Sequence, residues 1–206
     1  MSEAPLLLVL AAGQGRRLGE TKALCRLGPL TALEHVLAAG QGLPRAVVLG
    51  ADVERVSAGL PADIARIHNP AWIQGRTGGL RLAVERFPGR DFLVAPVDVP
   101  LVHASTHLAL RSAWAAAGAP ARGWLAPAYL APGAADAPRA GHPVLIGREL
   151  LAELADFAPD RPLKELRARA SPCWLLPVAD QAVLDDLDSP DDAERLRRRL
   201  AEGPPG

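Results

Sequence analysis

Short unbroken apolar runs at Leu6 to Leu10, Arg45 to Leu49, Ile64 to His68 and Phe92 to Val97 alternate with stretches of helical period at Thr31 to Ala39, Val53 to Ala58 and Leu80 to Phe87. A half-buried strand alternates apolar and polar residues, whereas a strand covered on both faces reads as apolar throughout. Such runs interleaved with helices predict parallel strands joined by crossover helices. The expected fold is therefore an α/β one: a single Rossmann-like, three-layer α/β/α domain with a mostly parallel sheet. In open sheets of this kind ligands bind beyond the carboxyl ends of the strands, where Gly13, Asn69 and Asp98 fall.

The second half is less regular. It predicts a helix over Ser105 to Ala117, a strand over Gly123 to Ala128, helices over Arg148 to Ala155 and Leu163 to Ala170, and a strand over Trp174 to Val178. A breaker-rich loop over residues 131–141 is expected to be mobile and to cover a substrate. A short apolar segment at Ala182 to Leu187 precedes Ser189-Pro190-Asp191-Asp192, which has the chemistry of a helix start: a hydroxyl cap, proline in first position and acids in the first turn.

At 206 residues the chain suits one domain with a well-buried core, and residues 1–206 are read as that domain. The 23 basic and 23 acidic residues cancel, so no global field recruits nucleic acid or an anionic membrane. The basic run Arg195 to Arg199 reads as a solvated last helical turn. Cys25 and Cys173 form no C-x-x-C pair, and the amino-terminal segment lacks the pattern of a signal peptide or a spanning helix, so a soluble protein of a reducing cytoplasm is expected. Lysine occurs only at positions 22 and 164. In a chain that otherwise uses arginine, Lys22 in a glycine-rich segment stands out.

That segment, Leu10-Ala11-Ala12-Gly13-Gln14-Gly15-Arg16-Arg17-Leu18-Gly19-Glu20-Thr21-Lys22, follows the first apolar run directly. Glycines let successive amides point at one anion, and arginine and lysine add charge, so the loop has the makings of a phosphate site. It is not a P-loop, because Glu20 and Thr21 separate Gly19 from Lys22. Nor do Gly13, Gly15 and Gly19 match the G-x-G-x-x-G spacing of a dinucleotide-binding dehydrogenase. The segment does resemble the L-A-A-G-x-G-x-R-x-G-x-x-K signature of the nucleotidyltransferases that activate molybdenum cofactor, polyol phosphates and sugar phosphates. The similarity continues through Ala23-Leu24 and Leu33 to Leu37.

Further motifs follow in the family's order. Asp98, in Val97-Asp98-Val99-Pro100-Leu101-Val102, is similar to the aspartate of the family's G-D-x-P-L-V motif, which binds metal; Val97 stands in place of the glycine, where a side chain would crowd nucleotide or metal. Asp188, before Ser189-Pro190, is similar to a second metal-binding aspartate. Taken without the family, Asp98 is a strand-terminal turn cap and Asp188 part of a helix start. Asn69-Pro70-Ala71-Trp72-Ile73-Gln74-Gly75 resembles the N-P-x-W-x-x-G stretch of molybdenum cofactor cytidylyltransferases, but Arg76-Thr77-Gly78-Gly79 replaces their hydroxyl-rich segment and is closer to the guanylyltransferase relatives. Gly141-His142-Pro143-Val144 looks like the segment that faces the acceptor. His103 and His107, four apart on a predicted helix, lack a third ligand and read as surface or packing residues.

The resemblance implies a Mg²⁺-dependent transfer of CMP from CTP to the terminal phosphate of molybdopterin, with pyrophosphate released and the product passed to a molybdoenzyme. It also implies the roles. Gly13, Gly15 and Gly19 shape the loop, Arg17 and Lys22 neutralise the triphosphate, and Asp98 with Asp188 holds the metal. Leu10, Ala11, Ala12, Arg16, Gly75, Thr77, Gly78 and Gly79 line the nucleotide, and His142 contacts the acceptor. The same chemistry with GTP, or on a sugar or polyol phosphate, is the nearest alternative. A nucleotide-binding protein that assists a cofactor enzyme without transferring anything is the alternative of a different class.

Overall fold

The computed structural model describes residues 3–131 and 137–202. The chain runs through β1 (Leu6–Ala11), a small hairpin of β2 (Arg26–Leu27) and β3 (Leu30–Thr31), α1 (Ala32–Ala39), β4 (Arg45–Leu49), α2 (Val53–Ala58) and β5 (Ala65–His68). Next come α3 (Arg76–Arg86), β6 (Phe92–Pro96), α4 (Ala104–Ala116), β7 (Trp124–Tyr129), β8 (Arg139–Ala140) and β9 (Val144–Ile146). The chain then forms α5 (Arg148–Ala152), α6 (Leu163–Arg167), β10 (Cys173–Pro177) and α7 (Pro190–Glu202).

The main sheet has the order β10-β7-β9-β6-β1-β4-β5, with β8 paired to β7. β1 lies at its heart, parallel to β4 on one side and to β6 on the other. Its side chains alternate between two cores. Leu7 and Val9 pack with Leu33 and Val36 of α1, Leu110 of α4 and Leu196 of α7, while Leu6 and Leu8 pack with Leu80 of α3, Leu150 of α5 and Leu166 of α6. That is the expected three-layer arrangement, and it explains why β1 is apolar throughout. Chain order reverses on either side of β1, since β4 and β5 extend one way and β6 lies on the other. The crevice that results opens at the carboxyl ends of β1 and β6.

Four features differ from the sequence expectations. β9 interrupts the parallel sheet, running antiparallel to both β6 and β7; a three-residue apolar run carries too little periodicity to be read as a strand. The strands of the β2–β3 hairpin are shorter still, at two residues each. α3 begins at Arg76, not Leu80, so Gly78 and Gly79 are helical. They are small because α3 lies close to its neighbours: a Cβ on Gly79 would come within 2.8 Å of Val48 Cγ1 on β4, and one on Gly78 within 3.4 Å of Pro159. The helix expected over Arg148 to Ala155 turns into a 3-10 segment at Glu153–Asp156. Of the loop expected over 131–141, residues 132–136 lie outside the described residues; Arg139–Ala140 pair with Ala128 and Tyr129.

The arginine run is largely absorbed by ion pairs. Arg195 and Arg199 both engage Asp185, whose side chain is 11% exposed, and Arg195 also reaches Asp192 at 3.0 Å. The helix start is a reciprocal cap. The Asp192 amide donates to Ser189 Oγ at 3.3 Å, and the Asp192 carboxylate accepts from the Ser189 amide at 2.9 Å and its hydroxyl at 2.7 Å. The Ser189 hydroxyl is the main reason the Asp192 carboxyl is pushed down to about 2, with Arg195 and the amides of Asp188 and Ser189 adding to it.

Because that pKa is depressed on folding, the stabilisation is complete above the unfolded value near 4 and is lost as pH falls through about 2. Ser189→Ala is expected to cost about 1 kcal/mol of unfolding free energy at neutral pH, the usual worth of a helix cap. Urea titrations at pH 7 and near pH 2 check this: the gap between variant and wild type should narrow at the lower pH.

Candidate active site

At the carboxyl end of β1 the chain leaves the sheet through Ala12 and enters the glycine loop. Gly15 has φ +65°, and its carbonyl accepts from the amides of Leu18 at 3.0 Å and Gly19 at 3.1 Å. A Cβ here would also strike the Glu20 carbonyl, so both angle and space call for glycine. The loop ends at Thr21, a buried residue whose hydroxyl donates to the Asp52 carboxylate beyond β4. That bond fixes the stem from which Lys22 projects.

Lys22 joins the two aspartates. Its Nζ pairs with Asp188 Oδ1 and lies 3.4 Å from Asp98 Oδ2. Arg17 reaches Asp188 Oδ2 at 2.7 Å, and Arg76 reaches Asp98 Oδ2 at 3.1 Å. The Lys22 and Asp98 side chains are 16% and 15% exposed, so water screens their attraction less than it screens the outer arginines. The main chain brings these distant residues together: the Leu187 amide donates to the Asp98 carbonyl at 2.7 Å, laying the segment before α7 across the end of β6.

The titration of the acids follows from this crowding. The hydrogen bond from Lys22 is the chief cause that holds the Asp188 carboxyl below the ordinary range, with the Arg17 charge adding to it. Asp186 goes the other way, raised by burial and then by the negative charges of Asp98 and Asp188. Three carboxyl groups, of Asp98, Asp186 and Asp188, therefore share one field with the cations of Arg17, Lys22 and Arg76. Among the described residues no group of three or more His, Cys, Asp or Glu side chains is arranged to hold a metal by itself. The paired hard oxygens of Asp98 and Asp188 fit an ion such as Mg²⁺, which is usually held by one or two carboxylates, with water and substrate phosphate completing its shell.

Two cavities flank this charged cluster. The smaller, about 200 Å³, lies over Gly13, Lys22, Asn69, Gly75, Gly79 and Asp98. Asn69 is 2% exposed; its Oδ1 accepts from the Ala71 amide at 3.1 Å, while its Nδ2 has no partner among the described residues. The Asn69 side chain thus lines the cavity, with its Nδ2 enclosed beside Gly78 and Gly79. The larger cavity, about 430 Å³, has an apolar floor of Val94, Trp124, Val144 and Ile146 and includes His142. Burial, then the Arg76 charge, pushes the His142 ring below its usual range, so it is neutral at pH 7, and its buried Nδ1 is unpartnered among the described residues.

Most of the residues singled out in the sequence meet here: Leu10 borders both cavities, Ala12, Gly13, Lys22, Gly75, Gly79 and Asp98 the smaller, and Thr77 and His142 the larger. Others have different work. Ala11 is in the core beneath the loop. Gly78 packs toward Pro159 and borders neither cavity. The Thr77 hydroxyl donates to the Arg161 carbonyl at 2.5 Å, which occupies its donor. Arg16 turns to Gln14 at 3.2 Å. Val97, in the position of the motif's glycine, is 5% exposed, packs in the α1-side core and also lines the smaller cavity. His107 is buried in α4, and burial pushes its ring down to about 4, as befits a packing residue. Sequence reasoning placed Asn69 at the ligand-binding end of the sheet but assigned no role to Arg76 or Asp186; Asp186 carried a signal only in its spacing, two residues from Asp188.

No helix among the described residues is long and apolar enough to cross a membrane. No curated protein matches the sequence. Among solved structures, Rv0371c from Mycobacterium tuberculosis H37Rv is 26% identical, with 96% of this chain and 100% of that one covered at a TM-score of 0.75; the same protein solved as a complex with manganese is 25% identical over 96% and 100%, with a TM-score of 0.71. Molybdopterin-guanine dinucleotide biosynthesis protein A from Archaeoglobus fulgidus shares the fold at 20% identity, 96% and 100% coverage and a TM-score of 0.73. So does 2-C-methyl-D-erythritol 4-phosphate cytidylyltransferase from Thermus thermophilus, at 19% identity, 98% and 100% coverage and a TM-score of 0.69. The MobA-like NTP transferase domain matches residues 7–173, from the first residues of β1 to the first of β10. With the glycine loop, Lys22 and Asp98 all inside that span, the chain belongs to the MobA-like NTP transferase family and is a nucleotidyltransferase.

Proposed function

We propose that the protein transfers CMP from CTP to the terminal phosphate of molybdopterin, with Mg²⁺ as its metal, and that the product passes to a molybdoenzyme. The observation that carries this reading is the position of Lys22, between Asp98 and Asp188 at the mouth of the glycine loop. An acceptor phosphate oxygen bonds to the α-phosphorus of CTP, the bond to the β-phosphate breaks, and pyrophosphate leaves with the electron pair. The attacking phosphate is already ionised near neutral pH. The protein therefore needs no nucleophile of its own; its task is alignment and charge neutralisation.

In this reading the amides of the glycine loop, Arg17 and Lys22 hold the triphosphate, and Asp98 with Asp188 binds the metal, which neutralises phosphate charge when present. The manganese complex of the mycobacterial relative supports a divalent ion as the metal. With triphosphate and metal bound, Lys22 would turn to the phosphates and Asp98 with Asp188 would hold the metal. Asn69, in the Asn-Pro-x-Trp stretch, lines the smaller cavity, which supports that cavity as the seat of the base. His142, neutral and at the larger cavity, suits a hydrogen bond to the acceptor and not a charge contact. A donor other than CTP, GTP first, or a sugar or polyol phosphate acceptor is the second reading, and Gly78 and Gly79 in place of the hydroxyl-rich segment favour it.

Thermal stabilisation by CTP, GTP, ATP and UTP, each with and without Mg²⁺, tests the donor. CTP with Mg²⁺ is expected to give the largest rise in Tm, and a larger rise with GTP would select the second reading. Lys22→Ala should weaken triphosphate binding by roughly tenfold to a hundredfold, the worth of about 1.5–3 kcal/mol for a hydrogen bond to a charged group. Asp98→Asn should lower pyrophosphate release from CTP and molybdopterin by roughly a hundredfold or more, the scale of removing one electrostatic contact in a transition state. Unchanged turnover in that variant would remove Asp98 from the metal site.

A further inference from the structure

The two cavities share Leu10, Arg76 and Pro96, and of these only Arg76 is charged. Arg76 is the first residue of α3, and its backbone is held firmly: the next residue bonds to the Arg161 carbonyl, and Gly79 lies against Val48. The side chain is not held as firmly. It is 58% exposed, and its one ion pair among the described residues is the 3.1 Å contact to Asp98. A rigid stem with an accessible guanidinium at the boundary of two cavities suits a group that exchanges one anion for another.

The larger cavity adds the chemistry of its occupant. Its floor is apolar and includes the Trp124 indole, while Arg161, Lys164 and Arg167 enter from α6 and the turn before it. Arg161 is engaged by Glu165 at 2.6 Å, but Lys164 and Arg167 make no ion pair among the described residues. The two lysines of the chain thus lie one at each cavity. A donor in the smaller cavity and an acceptor in the larger must bring their phosphates together at the boundary. There two anions approach, and a planar guanidinium can give two parallel N–H donors to phosphate oxygens.

We propose that Arg76 is a catalytic residue that releases Asp98 to clamp the acceptor's phosphate, and that the flat ring of the acceptor seats over Trp124. The inference rests on the nucleotidyl-transfer reading of the site. Arg76 forms no bond to phosphorus and moves no proton. The acceptor oxygen still makes the new bond to the α-phosphorus and pyrophosphate still takes the electron pair; Arg76 reduces the repulsion between the two phosphates.

The test is calorimetric titration of 1-naphthyl phosphate and inorganic phosphate into protein carrying Mg²⁺ and α,β-methylene-CTP, which cannot react. In the wild type the naphthyl ester should bind at least about tenfold tighter than inorganic phosphate. Arg76→Met should weaken the ester by about tenfold or more, with Arg76→Lys recovering part of that loss and nucleotide affinity changing by less than about threefold. Arg198→Met, on the exposed face of α7, controls for net charge and should change nothing. The proposal is overturned if Arg76→Met binds the ester as tightly as wild type, if Arg198→Met loses as much, or if the nucleotide-loaded wild type does not prefer the ester. Failure of the wild type to bind the nucleotide at all would instead defeat the underlying reading, and the proposal with it.

Discussion

A single ammonium group organises the candidate active site. Lys22 Nζ sits between Asp98, at the end of β6, and Asp188, at the start of the segment that leads into α7. Two carboxylates in a partly buried position repel each other, and without a cation one of them would tend to protonate. Lys22 offsets that repulsion. The loop that carries it is set by Gly15, whose left-handed backbone closes the turn, and by the Thr21 hydroxyl on Asp52. Disturbing any of these moves the charge on which the others depend.

The scaffold around the charge is made by close packing. Gly79 lets α3 press onto Val48 of β4, and Gly78 lets the 157–162 segment lie against the same helix. The first turn of α3 therefore forms a thin wall between two cavities, with Arg76 at its edge. The apolar floor of the larger cavity comes from β6, β7 and β9, so the antiparallel β9 is what gives that cavity its shape. On the opposite edge, Asp185 holds Arg195 and Arg199, and Asp192 holds the amides of Asp188 and Ser189. These contacts keep Asp188 at Lys22 although the two are far apart in the chain.

The chain is neutral as a whole, and its charge is arranged by position. Arginines on α7 are spent on the acids that anchor that helix, whereas Arg17, Lys22 and Arg76 converge on Asp98 and Asp188 at the crevice. A site that must gather several phosphates benefits from local cations, and global neutrality keeps the rest of the surface from attracting polyanions.

Much of this was legible in the amino-acid sequence. Apolar runs without alternation revealed a sheet covered on both faces, and their interleaving with helices revealed parallel strands, because both patterns depend on local periodicity. The glycine loop with Arg17 and Lys22, and Asp98 at the end of an apolar run, were readable for the same reason: each lies within one element and its turn. The sequence alone left open that Gly78 and Gly79 are helical, that β9 splits the parallel sheet, and that Ala11 and the Thr77 hydroxyl face inward or to a neighbour. It also left open that Arg76 and Asp186 border the site. Those features depend on which surfaces meet across long sequence separations, such as Leu187 on Asp98 and Thr77 on Arg161. Local pattern tells a segment what to become; only tertiary packing determines which distant charges and donors share one cavity.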